Sequence, residues 1–188
     1  MILAALTATV LAYQQLPMPT IPVAKISIAD AGGVVRQLPT SAKATVLFFV
    51  AIDCPIANRM APELARIVRA YRPKNISFLF VYVDPAHSGQ QVQQHLREYK
   101  LGAPGIRDAK HSVIKAVGAS VTPQAVVLDK TGLMLYRGRI NDLFIEHGRS
   151  RKLPKTQDLR NALDQFLAGR PIKVPQTAAL GCSIPPLS

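Results

Sequence analysis

The chain has 188 residues, nearly half of them apolar, which suits one folded domain with a core and some tail rather than a disordered chain. Its 23 basic and 11 acidic residues give a formal charge of +12, but the bases are scattered, the densest run holding Arg149, Arg151 and Lys152. There is no tryptophan, and aromatic side chains are not interleaved with the bases, so nucleic acid is not an expected partner; a solvated basic face, or attraction to an acidic partner or anionic surface, fits the charge.

Residues 1–12 are apolar and small, like part of a secretory signal without its basic start. The run is too short to cross a bilayer, so no stable transmembrane segment is expected. A periplasmic or secreted location is the expectation, with the cytoplasm as alternative. Residues 1–22 read as a lead-in, 23–169 as the folded domain and 170–188 as a proline-rich tail.

Residues 23–28 alternate loosely, as a strand does, and Gly32 and Gly33 mark a turn. Residues 45–52 are continuously apolar, the pattern of a strand buried on both faces. Pro55 suits the first turn of a helix. Met60, Leu64, Ile67 and Tyr71 then recur at spacings of four, three and four, a single buried stripe that stops near Pro73. Residues 76–83 read as a second buried strand, closed by Asp84 and Pro85. Residues 90–100 form a polar helix with Val92, Leu96 and Tyr99 inward. A loop or short strand at 102–108 precedes a short helix at 111–117, ended by Gly118. Residues 125–128 and 133–140 read as antiparallel strands about a turn at 129–132. A basic, irregular segment spans 141–156, and 158–167 is the last helix, with Leu159, Leu163 and Phe166 inward and Gly169 at its end. His87, His95 and His111 are expected at the surface or at helix ends. Strands alternating with helices imply an α/β domain with a parallel sheet and an antiparallel edge.

One of the two cysteines, Cys54, stands where a buried strand ends and a helix begins. Ligands and reactive groups of α/β sheets gather at the carboxyl ends of strands. The free N–H groups and dipole of a helix start favour a thiolate. Arg59, five residues on, adds positive field if it turns that way. The plainer alternative is a small buried hydrophobe. No glycine-rich nucleotide loop and no HExxH zinc motif occurs.

Three features together resemble a known family: strand 45–52 running into Cys54 and Pro55, Val121–Thr122–Pro123 before strand 125–128, and turn 129–132 leading into 133–139. The chain resembles the thioredoxin-like superfamily, in its peroxiredoxin-like AhpC/TSA (redoxin) branch, over residues 23–168. The resemblance implies a thioredoxin-like α/β fold, a central mixed sheet flanked by helices, with a cis proline at Pro123 against the active cysteine. It implies a thiol-based redox protein, performing peroxide reduction or thiol–disulfide exchange with Cys54 as nucleophile and Cys182 as resolving thiol. Arg149 or Arg139 would be the electrostatic partner of the thiolate, with Arg137 a competitor. Partners would be a peroxide or disulfide substrate, an external thiol reductant and a second copy of the chain in a homodimer; no cofactor is implied.

The chain departs from the family pattern at the motif. Asn58 and Ala57 follow where a CxxC or CxxxC pair would continue, and Ala51 stands in place of the peroxide-site threonine. Asp53 would repel a thiolate if it pointed inward. Two other readings stay open: a non-catalytic module whose Cys54–Cys182 disulfide pins the tail, and a copper site using Cys54 and His147, soft enough for that metal.

Overall fold

The computed structural model describes Met18 and residues 22–187, so the signal-like stretch at 1–12 lies outside the described residues. Strands β1 (Ile26–Ala29) and β2 (Val35–Leu38) form an antiparallel hairpin. The first strand therefore starts later than its sequence pattern implied, and its partner was not foreseen, because Val34 and Val35 are exposed and give no burial signal. Asp30 shapes the turn: one carboxylate oxygen accepts from the backbone N–H of Gly32 and Val34, the other from Arg36.

Strand β3 (Ala44–Val50) is the centre of the molecule, with all seven residues buried. A seven-residue apolar run covered on both faces can only sit between other strands and under helices. Helix α1 (Pro55–Tyr71) follows and buries Met60, Leu64, Ile67 and Tyr71. The sequence pattern placed that stripe correctly. Strand β4 (Ile76–Tyr82) lies parallel to β3, from Ala44 opposite Ile76 to Val50 opposite Tyr82. Helix α2 (Gly89–Glu98) begins with a reciprocal cap between Ser88 and Gln91, which satisfies its first free N–H groups. Strand β5 (Gly105–Arg107) joins β4 in parallel, and the β1–β2 hairpin closes on it through Ala31 N–H to the Gly105 carbonyl.

Helix α3 (Ser112–Val117) ends at Gly118, which takes the left-handed conformation that lets the chain turn out of a helix. Strand β6 (Val121–Thr122) leads through Pro123 to β7 (Gln124–Asp129), antiparallel to β3, and β8 (Met134–Gly138) is antiparallel to β7. The main sheet thus runs β5-β4-β3-β7-β8, parallel on one side and antiparallel on the other. Residues 141–156 are not wholly irregular: β9 (Phe144–Glu146) and β10 (Arg149–Ser150) form a small hairpin there. Asp142 ties down this segment, its carboxylate taking the N–H groups of Lys155 and Thr156 and the Arg151 side chain. Helix α4 (Asp158–Leu167) has the bounds its periodicity implied, and it docks on α1 through Tyr71 to Asp164 and Arg160 to Glu63.

The tail is held along its length. Its residues 175–177 run beside β8, with Arg137 N–H to the Pro175 carbonyl and Thr177 N–H to the Arg137 carbonyl. The Thr177 hydroxyl meets Tyr136 and accepts from Arg139 N–H. This covers the edge of β8, which would otherwise present unpaired backbone groups. The tail then crosses to form β11 (Cys182–Ser183), antiparallel to β6.

Candidate active site

Cys54 caps the N-terminus of α1. Its backbone is extended, Pro55 opens the helix, and its sulfur accepts the Ala57 N–H at 3.5 Å. The strand has no room to continue, because Ala51 accepts from the Cys54 N–H and turns the chain. The residue is 2% exposed. Its sulfur also lies 3.1 Å from the carbonyl oxygen of Thr122. The Thr122–Pro123 peptide bond is cis, as the resemblance implied, and it borders the cysteine.

Cys54 and Cys182 form a disulfide across 128 positions of sequence, with their Cα atoms 6.1 Å apart. Three contacts bring Cys182 there. Cys182 pairs with Thr122 in the β11–β6 ladder, Ile184 N–H bonds the Ser120 carbonyl, and His147 Nε2 donates to the Gly181 carbonyl at 3.0 Å. A Cβ on Gly181 would overlap the Thr122 carbonyl, so only glycine lets the tail approach this closely just before the cysteine. His147 is therefore a neighbour of the tail, and the disulfide holds the one sulfur of the copper reading, that of Cys54.

A cavity of about 210 Å³ is lined by Met60, Pro123, Arg139, Phe144, Ala179 and Leu180 among others; Pro123 links it to Thr122, the ladder partner of Cys182. Its walls combine α1, the residue after β6, the loops after β8 and the tail. Arg139 reaches it while bound to Asp158 at 2.8 Å, and that hydrogen bond, against the opposing effect of burial, holds its guanidinium firmly protonated. Asp158 is the first residue of α4, where a carboxylate is favoured by the helix dipole. Arg149 is placed differently. It is 65% exposed on β10 and paired with Glu146. Arg137 is turned the other way, to the Val117 carbonyl. Arg59 lies over the Phe144 ring, 5.5 Å from its centre. Asp53 faces outward and gathers with Asp84 and His87 at the strand ends, their ligand atoms within 4.8 Å of one another.

Of the expected surface or helix-end positions, the helix-end one holds, with His111 at the start of α3 and His95 in the last turn of α2, but neither is at the surface: they are 4% and 5% exposed. His111 bonds the Val83 carbonyl from the turn before α3. His95 is the middle of a chain: Tyr82 hydroxyl to His95 Nδ1 at 2.8 Å, His95 Nε2 to Asn58 Oδ1 at 2.9 Å, and Asn58 Nδ2 to the Ile52 carbonyl at 2.7 Å. Burial lowers the His95 pKa, with Glu98 opposing and His87 adding to the effect. The signal was present in the sequence, since residue 95 shares a helix face with Val92, Leu96 and Tyr99.

The AhpC/TSA family profile matches residues 19–137. No curated protein matches the chain. A conserved protein from Geobacillus kaustophilus of known structure is 28% identical, with a TM-score of 0.79, over 89% of this chain and 91% of that one. A hypothetical protein from Sinorhizobium meliloti 1021 is 25% identical, with a TM-score of 0.79, over 90% of this chain and 94% of that one. A secreted Mycobacterium tuberculosis disulfide oxidoreductase, 16% identical with a TM-score of 0.53 over 77% of this chain and 95% of its own, shares the fold. With a mixed five-stranded sheet, a cysteine-capped helix and a cis proline beside it, the chain belongs to the AhpC/TSA family and has a thioredoxin-like fold.

Proposed function

We propose that the chain is a thiol–disulfide oxidoreductase whose working pair is Cys54 and Cys182. The observation that carries this reading is the disulfide between them, made by a cysteine whose sulfur caps a helix. Cys182 is the less buried partner. An external thiolate attacks its sulfur, forming a mixed disulfide, and Cys54 leaves as a thiolate that the Ala57 N–H and the helix dipole favour. A second thiol of the donor, deprotonated, attacks the donor's sulfur in that mixed disulfide. Cys182 leaves, takes up a proton, and the donor has become a disulfide. In the forward direction the Cys54 thiolate attacks a substrate disulfide, one substrate sulfur leaves as a thiolate, and Cys182 resolves the mixed bond. Two electrons pass in each half-cycle.

Pro123 and Arg139 line the cleft against which the partner rests. Arg139 is favoured as the electrostatic partner over Arg149, which stands on the exposed hairpin with Glu146. A disulfide of this kind also supports a periplasmic or secreted location.

The family match favours a second reading, peroxide reduction. There the Cys54 thiolate takes the distal peroxide oxygen, an alcohol or water leaves, and the sulfenic acid condenses with the Cys182 thiol, losing water. Ala51, at the threonine's place, has no hydroxyl to offer a peroxide. One set of variants separates the readings. The folded chain reduced by dithiothreitol is expected to reduce insulin disulfides, Cys54→Ser to be inactive, and Cys182→Ser to accumulate a mixed disulfide. A dimedone-labelled sulfenate in Cys182→Ser with no insulin reduction by the parent chain would transfer the assignment to peroxide. A disulfide that resists reduction until the chain unfolds would make it structural.

A further inference from the structure

We propose that Asn58 is a positioning residue for Cys54, held in place from behind by His95 and Tyr82. The inference rests on the reading of Cys54 as the reactive thiol, and it names what shapes the helix end that stabilises it.

The proton order of this chain follows from one fixed group. The Ile52 carbonyl can only accept, so the Asn58 amide nitrogen faces it. That leaves Asn58 Oδ1 as the acceptor towards His95, whose Nε2 therefore carries the proton. His95 Nδ1 is then the acceptor, and the Tyr82 hydroxyl donates to it. Each of the three hydrogen bonds then has one donor and one acceptor, and the imidazole is neutral, the form that its burial favours. The Tyr99 ring lies against His95 with centroids 4.5 Å apart and limits its rotation.

Each link crosses between elements. Tyr82 ends β4, His95 is on α2, Asn58 is in the first turns of α1, and Ile52 is in the turn after β3. Asn58 touches the site from two sides. Its backbone N–H bonds the Cys54 carbonyl at 3.0 Å, and its side chain grips the turn two residues before that cysteine. The aim of the Ala57 N–H at the sulfur depends on the angle between that turn and the helix. That capping hydrogen bond to sulfur weakens steeply if the turn rotates and closes its angle. Asn58 fixes that angle, and His95 and Tyr82 keep Asn58 from turning to solvent. In this chain asparagine occupies the place where a CxxxC motif has its second cysteine, and it acts there by hydrogen bonding rather than by thiol chemistry.

The test uses the full chain with Cys182→Ser, fully reduced, and follows the rate of Cys54 alkylation by iodoacetamide against pH. The parent profile is expected to have its midpoint below that of a free cysteine, ~8.5. Asn58→Ala is expected to shift the midpoint up by about one unit, slowing alkylation at pH 7 roughly tenfold. Tyr82→Phe should shift it the same way by less. The double variant should equal Asn58→Ala alone, because links in series are not additive. A parent midpoint at or above the free-cysteine value would sink the reading of Cys54 and this inference with it. A low parent midpoint unmoved by Asn58→Ala, or additive shifts in the double variant, would overturn the inference and leave the function standing. If Asn58→Ala does not fold, Tyr82→Phe decides alone: a moved midpoint supports the chain and an unmoved one overturns it.

Discussion

His95 is neutral at a cost that depends on pH. Tyr82, Tyr99 and Asn58 surround it, Glu98 and His87 act on it from a distance, and burial is the largest cause of its lowered pKa. An unfolded histidine titrates near its ordinary value of about 6.5. As pH falls below that value, the unfolded chain takes up a proton that the folded chain refuses, so stability falls with pH. The stabilisation is fully present above about 6.5 and is lost as the pH drops through the folded value. Urea unfolding at pH 7.5 and 5.5 should show this loss, and His95→Gln should flatten the slope over that range. Gly181 is the second residue whose environment forces a result. Gly181→Val would drive a side chain into the Thr122 carbonyl, so the tail could not dock. Oxidative refolding of that variant should leave free thiols, up to two per chain, where the parent leaves none.

At the scale of elements, β3 carries the greatest share of packing. Phe48 is fully buried, with its ring 5.3 Å from that of Phe80 and 5.9 Å from that of Phe78 on β4. Phe48→Ala removes an aromatic side chain that neighbours on both faces cannot replace. It should cost about 3–5 kcal/mol of stability, read from the midpoint of chemical unfolding. The same strand sets the place of Cys54, because its buried register fixes where it ends and the helix begins. Helix α1 is placed by its own pattern and by Tyr71, whose hydroxyl donates to Asp164 and whose pKa is pushed up to about 12 by burial and that carboxylate. The amphipathic stripes of α1 and α4 were legible because each buries one face only. The hairpins β1–β2 and β9–β10 were not, since short strands with exposed side chains leave no periodic mark.

The tail makes the whole molecule depend on its redox state. It closes a loop of 128 positions, for which a disulfide is nominally worth about 4–5 kcal/mol. Reduction should therefore lower the melting temperature by roughly 10 °C. It should also make the tail cleavable by trypsin after Lys173, while the oxidised chain resists cleavage there. Equal resistance in both states would show that the hydrogen bonds along β8 hold the tail without the disulfide.

From sequence alone, the fold class, the central strand, the helix opened by Pro55 and the place of Cys54 were determined, because each rests on local periodicity or on a residue with one structural use. The pairing of Cys54 with Cys182 came from family resemblance, with catalytic and structural roles both open. What only the tertiary structure decided is how the tail reaches Cys54, by β11 pairing with β6 beside Pro123 through the gap that Gly181 leaves. It also decided which arginine lines the cleft and that a buried tyrosine and histidine are hydrogen-bonded in series to the half-buried Asn58. These residues lie far apart in sequence and none has a periodic signal of its own. Their roles exist only where separate elements meet, and a meeting of elements is a property of packing, not of any segment.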